Sequence, residues 1–395
     1  MITREPSRSA TATVDRAWDD AGNLVERRPY LVVVFVFLVL RLGDLGMMEI
    51  VARRRQVSVG GMMRSWDSWW YVQAALHGWP SHMQRYSHGG MLQSTWAWGP
   101  MFPGLIRALA TPFGLHSAPV VAVGINLVCG AAAAVVLTAA LRPSLSTRGA
   151  AAVAMLWASM PASPVFLLGY AEGLFMLLCF GAMWAVLRHR YLLAGVLVVL
   201  GGLTKSSVLP FAVTVAICAL FAARRDASPQ LSRARAAATL ALSALAVIVW
   251  PAITAISLGS LRATLDVQAA WGRRGFIGLD TWYWLYHFGQ TSVHLGDGLA
   301  LAVFIAMFVA GILLWRDRRF PLFVRVLGLI TPVFNTLAVG GVSTIRLTLG
   351  DLAMPGLTWR ITKGWRGVLL TSGVLLMLRY GWVATYVAFG ADMAP

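Results

Sequence analysis

Long apolar stretches, separated by short polar breaks that carry arginines, make up most of the chain. A run of about 20 apolar residues is long enough to cross a bilayer as a helix. Such runs lie near residues 30–50, 118–141, 149–168, 172–187, 236–258, 296–315, 320–341 and 366–390. The pattern predicts an all-α polytopic membrane protein.

Two apolar regions are interrupted. Residues 191–223 are too long for one span and contain the break Gly201-Gly-Leu-Thr-Lys-Ser-Ser207, which predicts two short, discontinuous helices. Pro161, Pro164 and Gly169 predict a second break near the end of the third stretch. With the discontinuous pair, the chain makes about ten crossings.

The polar segments predict the domain organisation. Residues 1–29 are polar and arginine-containing and are typical of a disordered cytoplasmic tail, and residues 30–395 then form one membrane domain. Residues 51–117 are the longest segment without a clear span and are rich in aromatic residues. We expect this segment to be the first extracytoplasmic loop, with one or two helices lying along the membrane surface.

Composition and charge agree with a membrane protein. The 395 residues are 58% hydrophobic and only 12% charged, too few charges to cover a soluble protein of this length. The net charge of +17 would fit nucleic-acid binding, but the arginines lie between apolar runs, where the positive-inside rule explains them. Arginine far outnumbers lysine, as in GC-rich bacterial genomes. We expect a multi-pass protein of a bacterial plasma membrane, and an actinobacterial source would fit.

The sequence carries no cofactor motif. The three cysteines lie far apart inside apolar stretches, the histidines lack metal-ligand spacing, and no phosphate-binding glycine motif is present. We predict cysteines that pack as small apolar residues, and no bound metal or cofactor. A divalent cation is left open, because a single carboxylate in the key loop gives it little to bind.

The stretch Arg64-Ser-Trp-Asp-Ser-Trp-Trp-Tyr71 holds the strongest candidate for chemistry. Asp67 lies there among four large aromatic residues, and few other acids fall outside the tail and the basic loops. Partial desolvation by indole rings makes a carboxylate a stronger base, and aromatic faces suit the apolar faces of sugar rings. A solvated Asp on an interfacial helix is the alternative.

Two further charged residues fall at breaks in the apolar pattern. Glu172 begins a span, where it could interact with the helix dipole or reach the same outer cavity as Asp67. Lys205 lies in the broken region, where it could bind a lipid phosphate or extend to the membrane interface.

Arginines give the other candidates. Arg274 in a predicted outer loop and Arg346 near a glycine-rich break could each bind a phosphate group. Arg41 and Asp44 lie one helical turn apart in the first span, and predict an ion pair inside the membrane. A wall of the site is the alternative for that pair.

The order of several motifs resembles the PIG-V-like mannosyltransferases. Trp66-Asp-Ser-Trp-Trp-Tyr71 is similar to the family's WD…WY opening, and Pro100-Met-Phe-Pro-Gly-Leu-Ile106 to its FFPLYPLLI segment. Gly169-Tyr-Ala-Glu-Gly-Leu-Phe175 is similar to YSESLF, and the segment ending in Leu203-Thr-Lys-Ser206 to LLAGLLAALAALTRPTG. Ser343-Thr-Ile-Arg346 resembles a divergent form of the C-terminal Arg…Pro segment.

This resemblance implies a GT-C glycosyltransferase, with many transmembrane helices, a catalytic Asp in the first extracytoplasmic loop and a polyprenyl-phosphate sugar as donor. On the matching positions, Asp67 takes the place of the catalytic Asp and Glu172 that of the Glu in SES. Lys205 takes the place of the Arg in TRP, and Arg346 that of the C-terminal Arg. The chain departs from the family in having one Asp where many first loops have an acidic pair, which affects the sugar and acceptor more than the reaction class.

We therefore expect an inverting mannosyltransferase that moves mannose from polyprenyl-phosphate mannose to a lipid or glycolipid acceptor on the extracytoplasmic face. The predicted catalytic residues are Asp67 and Glu172. The predicted substrate-binding residues are Trp66, Trp69, Tyr71, Trp98, Lys205, Arg274 and Arg346, with Trp69, Trp70, Trp96 and Trp98 forming a stacking rim. The alternatives are transfer of arabinose, glucose or galactose from the same kind of donor, and a lipid or solute transporter, which should show internal repeats.

Overall fold

The regular secondary structure in the described residues is helical. The structure is a computed structural model and describes residues 20–83, 92–224, 232–270, 295–338, 348–362, 368 and 371–375. These ranges contain α-helices and short 3₁₀ helices but no strand, which confirms the all-α class. Residues 20–27 and 371–375 are helical, so the tail predicted to be disordered over residues 1–29 is ordered at 20–27. The other helices are α1 Pro29–Arg55, α2 Val59–Met63, α3 Asp67–His77, α4 Met101–Ala110, α5 Ala118–Leu141, α6 Thr147–Ala158, α7 Glu172–Leu187, α8 Tyr191–Thr204, α9 Leu209–Arg224, α10 Arg233–Leu258, α11 Ala263–Ala269, α12 Leu295–Trp315, α13 Leu322–Ala338 and α14 Ala353–Thr362.

Four helical segments in the described ranges are long and apolar enough to cross a membrane. They are α1, α5 with the preceding turn, α9 with the preceding turn, and α10. Helices α7, α8, α12 and α13 contribute shorter apolar segments. These helices agree with a polytopic membrane protein.

The helix in the span predicted at 149–168 is shorter than predicted. Helix α6 ends at Ala158, and all of residues 149–158 are buried within the protein. Turns and a 3₁₀ helix, Ser163–Leu167, follow before α7 begins. Hydropathy predicted lipid contact here, but these apolar side chains contact other helices instead.

Both predicted breaks are confirmed. The first is the non-helical segment between α6 and α7. The second lies at Lys205, whose backbone is extended, with φ −155° and ψ 136°, between the end of α8 and the 3₁₀ helix Ser206–Val208. The chain therefore delivers Glu172 and Lys205 at the ends of helices rather than within them.

Small residues let helices approach each other closely. A methyl group at Gly202 would overlap the carbonyl oxygen of Ala246, so α8 and α10 are in backbone contact. A methyl group at Gly311 would likewise overlap the carbonyl oxygen of Gly328, which joins α12 to α13. Pro332 has no N–H to bind that Gly328 carbonyl, four residues earlier in its own helix. The three cysteines carry free thiols and pack among apolar side chains, as predicted.

The ion pair predicted in the first span is confirmed. Arg41 Nε lies 2.9 Å from Asp44 Oδ2, and both side chains are about 2% exposed. The Arg41 guanidinium also donates to the carbonyl oxygens of Ala158, at 2.8 Å, and Ser163, at 2.5 Å. The pair therefore ties α1 to the non-helical segment after α6.

Charged contacts collect at one end of the helices. Arg148 Nε lies 2.5 Å from Glu26 Oε2 at the start of α6. Asp317, after α12, pairs with Arg319 at 2.8 Å and with Arg360 of α14 at 3.4 Å. Helix α14 packs against the beginning of α6, so these contacts share one end of the bundle. The breaks that hold the candidate site lie at the other end of the same helices.

Candidate active site

Asp67 is the first residue of α3, directly after a strained residue. Trp66 has φ 54° and ψ −127°, which residues other than glycine rarely adopt, and such strain costs about 1–3 kcal/mol. Asp67 is partly buried, and its carboxylate lies at the positive end of the α3 dipole. The strained backbone at Trp66 thus sets the orientation in which the helix begins at Asp67.

The aromatic residues around Asp67 differ in exposure. Trp69 is 50% exposed and makes an edge contact with Trp70, with ring centroids 4.7 Å apart. Tyr71 is 1% exposed and packs against Phe102, with centroids 5.0 Å apart. Trp69 is therefore accessible at the surface, whereas Tyr71 supports the helix from within the core.

The predicted stacking role of Trp96 is wrong. Trp96 is 7% exposed, because its ring stacks on Trp250 with centroids 5.4 Å apart. Its Nε1 donates to the carbonyl oxygen of Pro80 at 2.8 Å. An interfacial tryptophan and a packed one look alike in sequence, and the partner of Trp96 lies 154 residues further along the chain.

Glu172 is the first residue of α7 and is 3% exposed. The amide of Asn126 fixes the backbone around it. Asn126 Nδ2 donates to the carbonyl oxygens of Val165 and Leu168, both at 2.8 Å, and Asn126 Oδ1 accepts from the N–H of Gly173 at 2.6 Å. One side chain of α5 therefore holds both the segment before Glu172 and the residue after it.

Lys205 forms an ion pair with Glu172 inside the protein. Lys205 Nζ hydrogen-bonds to Glu172 Oε1, and the side chains are 12% and 4% exposed. The lysine is thus directed toward the buried carboxylate and not toward a membrane interface. Removing one partner would leave a buried charge, so each residue holds the other in place.

The ion pair lies in the wall of a small cavity that is partly open to the outside of the protein. Its polar lining residues are Glu172, Lys205, Ser207, Thr331 and Asn335, and its other lining residues are Phe175, Met176, Pro210, Phe211, Phe334, Leu349 and Gly350. A mostly apolar cavity with a few convergent polar groups is typical of a ligand site.

Helix α3 touches the segment that leads to Glu172. The N–H of Gly169 donates to the carbonyl oxygen of Met63 at 3.1 Å. A methyl group at Gly169 would overlap Ser68 Oγ, and Ser68 is fully buried next to Asp67. Glycine is therefore required three residues before Glu172 for this close approach.

Helix α3 is connected to the break at Lys205 through Trp98 and Gly99. Tyr71, one turn after Asp67, packs against Trp98 with ring centroids 4.9 Å apart. A methyl group at the next residue, Gly99, would overlap the carbonyl oxygen of Leu203 near the end of α8. Asp67 is not among the described residues that line the cavity. Its helix contacts the segment before Glu172, and Gly99, next to Trp98, contacts the segment before Lys205.

A family model for mannosyltransferases of the PIG-V type matches residues 39–259, more than half of the chain. The chain belongs to the PIG-V mannosyltransferase family. The match confirms the predicted family and the enzyme class, a glycosyltransferase. It includes Asp67, Glu172 and Lys205 and ends before α12. No curated protein matches the chain, and the actinobacterial source stays a prediction.

Two predicted phosphate-binding residues of this PIG-V family member, Arg274 and Arg346, lie outside the described residues. Their roles therefore stay predictions. In the part of the chain that the structure describes, no three His, Cys, Asp or Glu side chains lie close enough together to hold a metal ion. The absence of a cofactor likewise stays a prediction.

Sequence reasoning missed several polar residues. Asn126 is a lone amide in an apolar span, a signal that it faces protein. Thr331 and Asn335, in the cavity wall, lie four residues apart in another span. Asp351, by contrast, is one of the few acids outside the tail and the basic loops. It is fully buried in the loop before α14 and accepts from the N–H of Ala353 at 2.8 Å, and desolvation raises its pKa to about 7.

Proposed function

We propose that the protein is an inverting mannosyltransferase that moves mannose from polyprenyl-phosphate mannose to a lipid or glycolipid acceptor on the extracytoplasmic face of a bacterial plasma membrane. Family membership supports mannosyl transfer. The observation that supports the site comes from the contacts around Asp67. Its helix packs against the segment before Glu172, and the nearby Gly99 packs against the segment before Lys205, where these two residues form a buried ion pair in a cavity wall.

The distribution of charge supports the outward orientation. Arginines lie where α5 leads into α6, α7 into α8, and α12 into α13, and the positive-inside rule assigns these turns to the cytoplasm. The candidate site lies at the opposite ends of these helices. Nucleotide sugars are cytoplasmic, so a site on the outer side needs a donor carried by a lipid.

Asp67 is the proposed general base. Its carboxylate removes the proton of an acceptor hydroxyl, and the oxygen attacks the anomeric carbon from the face opposite the phosphate. The new C–O bond forms as the bond to the phosphate oxygen breaks, which inverts the configuration. A positioned base contributes about 10²–10⁴-fold to such a reaction. The half-exposed Trp69 offers a stacking face beside it.

Lys205 is the proposed partner of the departing phosphate. Its ammonium stabilises the negative charge that grows on the leaving oxygen. The carboxylate of Glu172 holds that ammonium in the cavity wall, which favours a positioning role for Glu172 over a second base. Arg274 and Arg346 remain candidates for further phosphate contacts.

The change Asp67→Asn tests the assignment. We expect mannosyl transfer from polyprenyl-phosphate mannose to fall at least about 100-fold, while the melting temperature and donor binding stay unchanged. Asp266→Asn is the matched control, since Asp266 is also a partly buried acid in the first turn of a helix and should retain activity.

Two results would contradict the proposal. Full activity of the Asp67→Asn variant would remove Asp67 from the reaction. Transfer from a nucleotide-linked mannose, or from a polyprenyl-phosphate pentose or glucose in preference to mannose, would show that the proposed donor is wrong.

A further inference from the structure

Two polar side chains of α13 point to an unassigned binding function in the cavity. Thr331 and Asn335 lie four residues apart, on one face of the helix, and both line the cavity that contains the Glu172–Lys205 pair. They are only 2% and 1% exposed. Within the described residues, neither Thr331 Oγ1 nor Asn335 Nδ2 has a hydrogen-bond partner.

Unpartnered polar groups at this depth are unusual, because burial removes their bonds to water without replacing them. Ser207 adds a third group of this kind, since its buried Oγ also has no hydrogen-bond partner among the described residues. Ser207 lies two residues after Lys205 and lines the same cavity. Three polar groups and one cation thus meet in a single cavity.

One wall of the cavity is anchored to the core. This wall contains Gly350, which lies near the ring of Phe211 and near Thr331, since an added methyl group would be 3.4 Å and 4.0 Å from them. Trp157 Nε1 donates to the carbonyl oxygen of Leu349 at 2.9 Å, which anchors the turn that forms this wall. Because the donors of this wall are already in position, binding a ligand costs less free energy for ordering side chains.

We propose that Thr331 and Asn335 bind the phosphate group of the lipid-linked donor, in the same cavity as Lys205 and Ser207. This inference rests on the proposed function and deepens it. The amide, the hydroxyls and the ammonium can all donate, and the oxygens of a phosphodiester only accept.

The rest of the wall agrees with this ligand. Phe175, Phe211 and Phe334 line the cavity beside the polar groups and would contact the first prenyl unit. Both α13 residues lie beyond residues 39–259, so the family match assigns them no role.

The test uses the full chain in detergent and compares binding of farnesyl phosphate with binding of farnesol. The variants are Thr331→Val and Asn335→Leu, which keep the side-chain size and remove the donor. We expect each to weaken binding of the phosphate about tenfold or more and to leave farnesol binding unchanged. Thr214→Val is the matched control, because Thr214 is buried but donates to its own helix and does not line the cavity.

Two further variants keep the test decisive if a hydrophobic replacement disturbs folding. Thr331→Ser retains the hydroxyl and should restore binding. Asn335→Asp should weaken farnesyl phosphate binding more than Asn335→Leu, because two negative groups would meet. If Asn335 instead binds a sugar hydroxyl, the Asp variant will retain binding of polyprenyl-phosphate mannose, and the phosphate assignment is overturned.

The outcomes separate this inference from the proposed function. If the unaltered protein binds farnesyl phosphate and transfers mannose, but the α13 variants do so equally well, only the inference fails. If the unaltered protein transfers mannose only from a nucleotide-linked donor, the proposed donor is wrong and the subsite fails with it.

Discussion

Neutralising one partner of the Glu172–Lys205 pair should destabilise the protein more than neutralising both. The side chain of Glu172 is 4% exposed and that of Lys205 is 12% exposed. The change Lys205→Met leaves a buried carboxylate behind, and Glu172→Gln leaves a buried ammonium. The double variant leaves no charge among the described residues that line the cavity.

The burial of the pair determines how much unfolding free energy each change costs. Removing one partner of a buried ion pair costs about 3–5 kcal/mol of unfolding free energy. We expect Lys205→Met near the upper end of this range, because the remaining carboxylate is the more buried group. Glu172→Gln should lie near the lower end, because the lysine stem can move the ammonium toward water. The double variant should lose only about 1 kcal/mol, which gives a coupling energy of about 5–7 kcal/mol between the two residues.

The assay is reversible unfolding in mixed micelles, followed in parallel with mannosyl transfer. All three variants should lose transfer, while the double variant regains most of the stability. Glu49 and Arg53 provide a control pair, at 2.7 Å but 46% and 79% exposed, whose coupling should stay below about 1 kcal/mol. Additive effects at Glu172 and Lys205, or single changes as small as those of the control pair, would refute the reasoning.

Two other predictions follow from single contacts. Gly169→Ala should lower both the stability and the rate of mannosyl transfer, because the added methyl group overlaps Ser68 Oγ. Ser68→Ala in the same chain removes this overlap and should restore part of both. If neither is restored, the overlap is not the cause. The hydrogen bond from Arg319 lowers the pKa of Asp317 in the folded protein and so stabilises the fold. This stabilisation is present above the ordinary pKa of 3.8 and is lost as the pH falls through the lower pKa of the folded protein. Asp317→Asn should therefore lower the melting temperature at pH 7, and the difference should shrink below about pH 4; a difference that persists at lower pH would contradict this.

The lengths of apolar runs predicted the fold well where helices meet lipid. Helices α1, α5 and α10 coincide with predicted spans, since the bilayer sets the length of an exposed apolar helix. The error at 149–168 has a physical cause. A helix enclosed by protein is as apolar as one enclosed by lipid, and only Pro161 and Pro164 indicated that this one ends early.

The charged part of the site could be predicted because charges are costly in this chain. Asp67, Glu172 and Lys205 stood out against apolar surroundings, and their elements do come together. Neutral polar residues gave a weaker signal. Asn126 bonds to residues 39 to 47 positions away, and no local pattern reports such contacts.

The buried polar residues of α1 and α5 explain how an irregular segment can lie within the membrane domain. Residues 159–171 leave backbone carbonyls without helical partners, and a bilayer core offers no water to bind them. Arg41 and Asn126 each bind two of the carbonyl oxygens in or next to this segment. Because these side chains add to the short-range turn hydrogen bonds of this segment, the chain can stay non-helical up to Glu172. The polar groups that look costly within a span are thus what allows the carboxylate to enter the cavity wall.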